Sequence, residues 1–166
     1  MPEPLNDPVD DLIEQWERER PDLDLGPMAT FGRLGRFQAV AGRAIESVFQ
    51  AHGLGGIGDF DVLAALRRAG PPFTLTPTVL AQTLMLSPAG MTSRLDRLEA
   101  QGLIERRPDP SDRRSTLAVL TVAGRELVDA AVTEHVANEA RLLSPLSADE
   151  RRTLDGLLRK LLAADD

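Results

Sequence analysis

The sequence contains no cysteine, and that absence removes several functions at once. Without a thiol the 166-residue chain can form no disulfide, use no thiolate nucleophile and sense no oxidant through cysteine chemistry. Histidine is almost as scarce, since only His52 and His135 occur and they lie far apart in the sequence. No close-spaced set of ligands accompanies either histidine, so the sequence predicts neither a metal site nor a cofactor.

Aromatic residues and long apolar runs are also rare. Aromatic side chains make up 4% of the chain, so leucine, alanine and valine must fill its core, which favours packing between helices. No uncharged apolar run approaches the roughly 18 residues that a membrane-spanning helix needs. The N-terminus also lacks the basic-then-apolar pattern of a signal peptide. We therefore expect a soluble cytoplasmic protein of one domain with no membrane partner.

The negative charge is unevenly distributed along the chain. The net charge is −7, and residues 1–25 alone carry nine acids and two arginines. The remaining residues hold 17 acids and 17 basic residues, so their charges cancel. Between positions 87 and 114, six arginines outnumber five acids. That segment is locally positive, although an acidic N-terminal arm sets the sign of the whole chain.

Two helix starts of the same kind follow one another closely. Thr76 and Ser87 each precede a proline, which places a hydroxyl at the N-cap and a proline in the first helical turn. The predicted helices run from Pro77 to Met85 and from Pro88 to Gln101, and Gly102 ends the second. Two helices joined by so short a connection predict a helix-turn-helix.

The segment after the second helix predicts a two-stranded ribbon. Apolar-alternating runs from Leu103 to Arg107 and from Leu117 to Thr121 flank the arginine-rich stretch RRPDPSDRR at positions 106–114. A ribbon with cations at its tip can lie on a phosphate backbone or reach into a minor groove while the preceding helix enters the major groove. The predicted fold is mainly α with a small β-ribbon, a winged helix-turn-helix that binds double-stranded DNA.

Candidate DNA contacts lie on the second helix of this unit. Met91, Leu95 and Leu98 define its buried side, so small and hydroxyl-bearing residues occupy the opposite side, where the backbone can approach bases. The hydroxyls can donate to phosphates, and Arg94 or Arg97 could hold a guanine in a bidentate contact. The alternative for these arginines is a solvated helix face with ion pairs between neighbours.

The tip of the ribbon supplies the other candidates. Asp109 shapes the turn, Asp112 pairs an arginine so that its guanidinium keeps one direction, and Arg113 or Arg114 is the minor-groove candidate. The alternative is a soluble charged hairpin without a nucleic-acid partner. The predicted DNA contacts are Ser87, Ala89, Gly90, Thr92, Ser93, Arg94, Arg97, Arg107, Asp112, Arg113 and Arg114.

The helices at the two ends of the chain predict a dimer. Ser147 and Glu150 form a capping box that opens a last helix, and five leucines between Leu154 and Leu162 lie along one side of it. That leucine face is too wide for a small monomer to cover, so we expect a homodimer. The alternative is docking on the chain's own long helix. The predicted organisation is one compact domain with an acidic helical arm (1–26), a dimerisation and ligand helix (27–57), a winged helix-turn-helix lobe (58–121) and C-terminal dimerisation helices (122–166).

Several motifs together resemble the MarR family of multiple-antibiotic-resistance regulators. They are LE and GLIER within residues 98–106, DPSDRR at 109–114, and LT followed by glycine at 120–124. The likeness extends from about Met28 to Leu162. It implies a homodimeric repressor or activator on a pseudo-palindromic operator, with a small-molecule pocket between the dimerisation helices and the DNA-binding lobe. It also implies that Arg113 enters the minor groove and that Asp112 orients neighbouring arginines.

Part of the sequence is similar to the branch of this family that responds to urate. The acidic first helix with Trp16, the phrase RPDLD at 20–24, and DFDVL at 59–63 followed by two arginines carry this likeness. It implies a ligand site of Trp16, Asp61, Arg68 and Arg106 for urate, another purine-like anion or a phenolic acid. An aromatic plate and an arginine suit a flat anionic ring, and the anion would repel Asp61. Alternatively, Trp16 only fixes the arm to the body, and Asp61 with Arg68 is a surface pair.

Two functions of other classes remain open from the sequence. A helical enzyme could use Asp61, His52 or His135 as acid–base groups, but no recognisable spacing brings such a set together, and we expect no catalytic residue. A winged helix that has lost DNA binding could serve as a protein-interaction module, as the net negative charge suggests. Binding to DNA that weakens steeply with salt separates the regulator from both.

Overall fold

The chain is mainly helical with one small antiparallel sheet in the computed structural model, which describes residues 6–112 and 115–164. It divides into two compact units, one that extends to Arg43 and one that begins at Ala44. Over the described residues the elements are α1 (Pro8–Glu19), α2 (Gly26–Ala51), α3 (Ile57–Arg68), β1 (Thr74–Leu75), α4 (Pro77–Thr83), α5 (Pro88–Ala100), β2 (Ile104–Pro108), β3 (Thr116–Leu120), α6 (Val122–Leu142) and α7 (Ala148–Leu162).

In the first unit, α1 is fastened to α2 by charge and by one buried side chain. Asp7 caps α1 by accepting a hydrogen bond from the Val9 backbone, and it also accepts one from Arg33 Nε at 2.7 Å. The bond from Arg33 is the main reason that the pKa of Asp7 lies below its usual range. Arg33 also pairs with Asp10. Val9 is buried, and a β-carbon at Gly32 would come within 3.1 Å of it, so the absent side chain lets the helices approach.

The second unit contains the predicted helix-turn-helix, with both caps in place. The Thr76 and Ser87 hydroxyls each accept a hydrogen bond at 3.2 Å from the backbone N–H three residues ahead, which confirms α4 and α5. Helix α4 ends at Thr83, two residues before the predicted end, because Met85 adopts a left-handed backbone with φ of 51°. The core of this unit contains Phe49, Leu63, Leu66, Leu80, Met91, Leu95, Leu98, Ile104, Ala118 and Val128.

The sequence predicts a compact helix from Phe60 to Ala69, with Leu63 and Leu66 facing the core. Helix α3 begins three residues before that predicted start, at Ile57. Its N-cap is Gly56, which has no side chain to bond the first turn. The Glu46 carboxylate on α2 accepts the Ile57 backbone N–H at 3.1 Å instead. A cap supplied by another helix leaves no signal in the sequence next to α3, and for that reason the predicted start of this helix is too late.

The sheet has three strands rather than the two that the sequence predicted. Its order is β1-β3-β2, with both outer strands antiparallel to β3. The ribbon itself is confirmed, since β2 and β3 pair from Ile104 opposite Leu120 to Pro108 opposite Thr116. Strand β1 has only two residues, too few to show the alternation by which strands are recognised.

The ribbon joins α6 at a close contact between backbones. The sequence marks Thr121 as a cap for the helix after the ribbon, and Thr121 does cap α6 by accepting a hydrogen bond from the Gly124 N–H at 3.0 Å. Its hydroxyl also lies 2.8 Å from the Gly102 carbonyl oxygen and 3.0 Å from that of Leu103. Gly124 is buried directly against the Leu103 carbonyl group. The root of the wing therefore rests on the first turn of α6.

Helix α7 carries the capping box that the sequence predicted. Ser147 accepts the Glu150 backbone N–H, and the Glu150 carboxylate accepts the Ser147 backbone N–H at 2.8 Å. Four leucines of α7 remain largely exposed: Leu157, Leu158, Leu161 and Leu162. Within the part of the chain that the structure describes, no helix combines the length and the apolar character needed to cross a membrane.

Candidate nucleic-acid interface

The exposed side of α5 is the centre of the candidate site. Met91, Leu95 and Leu98 are buried, at the helical spacing that the sequence predicted. The opposite side is left in solvent and presents Ala89 and Ser93, with Gly90 half-buried beside them. Ala89, Gly90 and Ser93 have small side chains or none, so they permit a close approach of this part of the α5 backbone to a partner.

The hydroxyls of Ser87, the N-cap of α5, and of Thr92 each make one hydrogen bond within the helix and can make further ones. Ser87 accepts the Gly90 N–H, so the hydrogen of its own hydroxyl is available to donate. Thr92 donates to the Pro88 carbonyl oxygen at 3.0 Å, so its oxygen lone pairs are available to accept. Both residues are exposed. Ser87 stands at the helix N-terminus, where the dipole and the free N–H groups favour an anion.

Arg97, a predicted DNA contact, makes a bidentate ion pair within the lobe. Its Nε and Nη2 donate to the Asp59 carboxylate at 2.9 and 2.6 Å. The side chain of Asp59 is only 1% exposed, and its Oδ2 also accepts the Gly55 N–H at 3.0 Å. The hydrogen bonds that Arg97 donates to Asp59 are the main reason that the pKa of Arg97 is raised. No local pattern in the sequence marks Asp59 as the partner of Arg97, because the two residues are 38 positions apart.

Arg94 belongs to a second charged group, centred on Asp61. Burial raises the pKa of Asp61, while the positive charges of Arg68, Arg94 and His135 oppose that rise. The guanidinium of Arg94 also lies against Gly58, where a β-carbon would overlap it. Two of the four predicted ligand residues, Asp61 and Arg68, therefore share one electrostatic environment, and the arginine that joins them from α5 is Arg94.

Arg106, a third predicted ligand residue, connects the wing to α5. Its Nη1 lies 2.6 Å from Asp96 Oδ1 and 3.1 Å from Glu99 Oε2. Its backbone N–H donates to Glu99 Oε1 at 2.9 Å, and Nη2 reaches the Thr92 carbonyl oxygen at 3.4 Å. The contacts of Arg106 thus fix the direction of β2 relative to α5. Its role toward a ligand stays a prediction.

Trp16 lies in the first unit, apart in the chain from the other predicted ligand residues. Its ring lines a groove of about 550 Å³ with Val9, Leu12, Phe31 and Arg36. The Trp16 side chain is 43% exposed, so a large part of it is accessible from solvent. A shared site with Asp61, Arg68 and Arg106 stays a prediction.

The tip of the wing is polar and partly outside the described residues. Asp109 Oδ1 accepts the backbone N–H of Ser111 at 2.8 Å and its hydroxyl at 2.6 Å, and the hydroxyl bond chiefly lowers the pKa of Asp109. Asp109 thus shapes the turn, as predicted. Arg107 pairs with Glu105, and Asp112 is exposed. The predicted minor-groove arginines, Arg113 and Arg114, lie outside the described residues.

Histidine and carboxylate side chains are the groups that a metal site would use. Over residues 6–112 and 115–164, no group of three or more histidine, aspartate or glutamate side chains is placed to hold a metal ion. The two histidines lie beside different carboxylates, His52 beside Glu134 and His135 beside Glu139. The lobe presents instead a helix, a wing and the charged links between them.

Comparison with known proteins agrees with this geometry. The model of the MarR family matches residues 52–115. The HTH-type transcriptional regulator PecS of Dickeya dadantii is 42% identical over 153 residues, which cover 92% of each chain. A mutant of Escherichia coli MarR complexed with operator DNA superposes with a TM-score of 0.68 at 28% identity, covering 89% of this chain and 97% of that one.

A MarR family transcriptional regulator from Streptomyces coelicolor superposes with a TM-score of 0.71 at 28% identity, covering 86% of this chain and 96% of that one. The relatives and the structural neighbours are regulators of transcription, so the enzyme that the sequence left open is set aside. With 42% identity across nearly all of a regulator and a matching winged helix, the chain belongs to the MarR family and is a winged helix-turn-helix transcriptional regulator.

Proposed function

We propose that the protein is a homodimeric repressor that binds a pseudo-palindromic operator and leaves it when a small anionic aromatic or purine-like ligand binds. The observation that carries DNA binding is the exposed side of α5, small and hydroxyl-rich, next to a wing that Arg106 ties to the same helix. The similarity to MarR complexed with operator DNA supports the same use of this surface.

In this proposal α5 lies in the major groove. Ala89 and Gly90 allow the backbone to approach the base edges, and Thr92 and Ser93 bond phosphates or bases. Ser87 donates its hydroxyl hydrogen to a phosphate at the helix N-terminus. Arg94 or Arg97 would add a bidentate contact to guanine, the role that the sequence assigned to them.

The wing supplies the second set of contacts. Arg107 bonds the phosphate backbone, and Arg113 or Arg114 enters the minor groove while Asp112 orients the guanidinium. Few cations are involved, and the whole chain is acidic, with a net charge of −7. Affinity should therefore depend on several oriented arginines rather than on a general basic surface.

A second copy of the chain would cover the apolar side chains at both ends. Leu161 and Leu162 on α7 are 62% and 73% exposed, and Phe31 in the first unit is 75% exposed. Two-fold symmetry would then place the two α5 helices in successive major grooves, about 34–36 Å apart. Leu161→Glu should shift the dimer toward monomer in sedimentation velocity; an unchanged mass would remove α7 from the interface.

The ligand proposal rests on the charged group around Asp61. An anion that pairs with Arg68 would place a second negative charge beside a carboxylate whose pKa burial has already raised. Arg94 faces the same carboxylate from α5, so a ligand there competes for an arginine of the DNA-reading helix. Trp16 and Arg106 are assigned to this site by resemblance. A coupling of roughly 1–3 kcal/mol would suffice to change operator occupancy.

Fluorescence anisotropy on the DNA that flanks the protein's own gene tests the proposal. The logarithm of the binding constant should fall linearly with the logarithm of the salt concentration. Arg113→Ala should lower the affinity and reduce the steepness of that line by about 1. Arg152→Ala, which removes the same charge from α7, is the control. A protein that remains dimeric but binds no DNA at any salt concentration would be an interaction module instead.

Titration of the bound complex with urate and with salicylate tests the ligand. Trp16→Ala should abolish release by the active compound while operator affinity stays unchanged, because the indole contacts the ring and not the DNA. A variant that releases DNA like the wild type would remove Trp16 from the site. Release by neither compound would exclude both ligand classes.

A further inference from the structure

The apolar side of α5 determines which face of the helix is buried, but it makes no directional contact. Contacts of Met91, Leu95 and Leu98 are non-directional, and the flexible Met91 side chain adapts to irregular gaps. DNA readout needs more, because a bidentate base contact tolerates only small changes in angle and distance. Directional contacts between α5 and its neighbours must supply that precision.

The pair of Asp59 and Arg97 has the properties of such a contact. It links α3 with α5 through two parallel hydrogen bonds, at 2.9 and 2.6 Å, whose fork geometry fixes direction as well as distance. Asp59 is the one buried charged side chain among the described residues. An acid in that position needs its partners, and it has three donors: two from Arg97 and the Gly55 N–H.

The loop before α3 is shaped to admit this pair. A β-carbon at Gly55 would lie 2.7 Å from Asp59 Oδ2 and 3.2 Å from Arg97 Nε. Its backbone does not need glycine, since its φ lies outside the left-handed region. The requirement for glycine at this position is therefore steric, and it comes from the pair itself.

We propose that Arg97 is a positioning residue: with Asp59, and with the space that Gly55 leaves, it sets the rotation of α5 on the lobe and thereby the register of the DNA-contacting side chains. This inference rests on the proposed function, and it assigns Arg97 a partner in the protein in place of the base contact that the sequence suggested. Asp59 and Gly55 then influence DNA affinity without touching DNA.

A double-mutant cycle on operator affinity distinguishes positioning from direct contact. Arg97→Lys and Asp59→Asn should each weaken binding about tenfold, because lysine cannot form the fork and asparagine cannot accept both bonds as a charge. The combined variant should be no weaker than either single variant, within about twofold. The salt slope should stay at the wild-type value, because no phosphate contact is lost.

Gly55→Ala provides a variant that keeps both charges. It should weaken binding in the same range and leave the salt slope unchanged, and it decides the question if Asp59→Asn does not fold. Arg67→Ala is the matched control, since Arg67 forms a similar fork with Asp129 between α3 and α6 and does not involve α5. That variant should bind operator like the wild type. Helix content and dimer mass are measured for every variant at the assay temperature.

Three outcomes are distinguishable. Equal, non-additive losses with an unchanged slope support positioning. Weaker binding in Arg97→Ala, with wild-type affinity in Asp59→Asn, shows a direct DNA contact and overturns the inference; a salt slope reduced by about 1 would place that contact on a phosphate, and an unchanged slope would place it on a base. Folded variants that all bind like the wild type reduce the pair to a stabilising role and also overturn it. A wild-type protein without operator binding would refute the proposed function itself, which none of the other outcomes does.

Discussion

Gly124→Ala should destabilise the protein strongly, although alanine is the better helix former. Gly124 is buried in the first turn of α6. A β-carbon there would overlap the Leu103 carbonyl oxygen and lie 2.9 Å from both the Leu103 carbonyl carbon and Leu120 Cδ1. Carbon atoms at ordinary contact are about 3.5–4.0 Å apart. The obstacle is backbone, so α6 and the wing root would have to separate.

The size of the effect follows from what that separation breaks. The Leu103 carbonyl oxygen accepts the Thr121 N–H at 3.1 Å and lies 3.0 Å from the Thr121 hydroxyl, which in turn caps Gly124. Losing two of these bonds costs roughly 0.5–1.5 kcal/mol each. Overpacking adds about 1–3 kcal/mol, and the helix preference of alanine returns roughly 1 kcal/mol. We expect a net loss of about 1–5 kcal/mol, or roughly 2–20 °C in Tm.

Thermal unfolding followed by circular dichroism, at one protein concentration because dimerisation affects Tm, measures this loss. Gly156→Ala is the matched control, since a β-carbon there meets nothing within 4 Å in the middle of α7. It should raise stability by about 0.5–1 kcal/mol. If Gly124→Ala melts at or above the wild-type temperature, the close contact between α6 and the wing root is wrong.

Three further changes have defined outcomes. Asp61→Asn should raise Tm at neutral pH, because burial raises the pKa of Asp61 and the folded state therefore disfavours the charged carboxylate. The difference in Tm should vanish as the pH falls and the carboxyl of the wild type becomes protonated. A wild type that is more stable than the variant at pH 7 would contradict this prediction. Arg33→Ala should make α1 more susceptible to limited proteolysis, since Asp7 and Asp10 lose their cation; equal cleavage rates in the variant and the wild type would refute this role of Arg33. Ser147→Ala should lower the free energy of unfolding, measured in denaturant, by about 1 kcal/mol, because α7 loses its capping box. An unchanged free energy of unfolding would show that the capping box does not stabilise the helix.

The sequence predicted well the features that depend only on residues close to one another in the chain. Thr76, Ser87 and Thr121 each bond a backbone N–H three positions ahead, so their chemistry alone marks a helix start. The buried side of α5 follows from a period of 3.6 residues in the same way. Local physics of this kind fixes where helices begin and which face they bury.

The features that escaped prediction join distant parts of the chain. The carboxylate that holds Arg97 lies 38 residues earlier, and the acid that caps α3 lies 11 residues earlier, on α2. The contacts of Arg106 with carboxylates seven and ten residues earlier, on α5, also escaped prediction. Such partners depend on how elements pack, and a single sequence does not record that packing.

The central position of β3 bears on how the DNA-reading segment opens. Strands β1 and β2 flank the helix-turn-helix in the sequence, and both pair with β3. Both ends of the segment that contains α4 and α5 are therefore held by hydrogen bonds to the same strand. Neither α4 nor α5 can then unfold far without releasing that strand. Amide protons of β3 should exchange with solvent only through global unfolding. Those of α4 and α5 should exchange together, as one cooperative unit, so the DNA-reading segment is gained or lost as a whole.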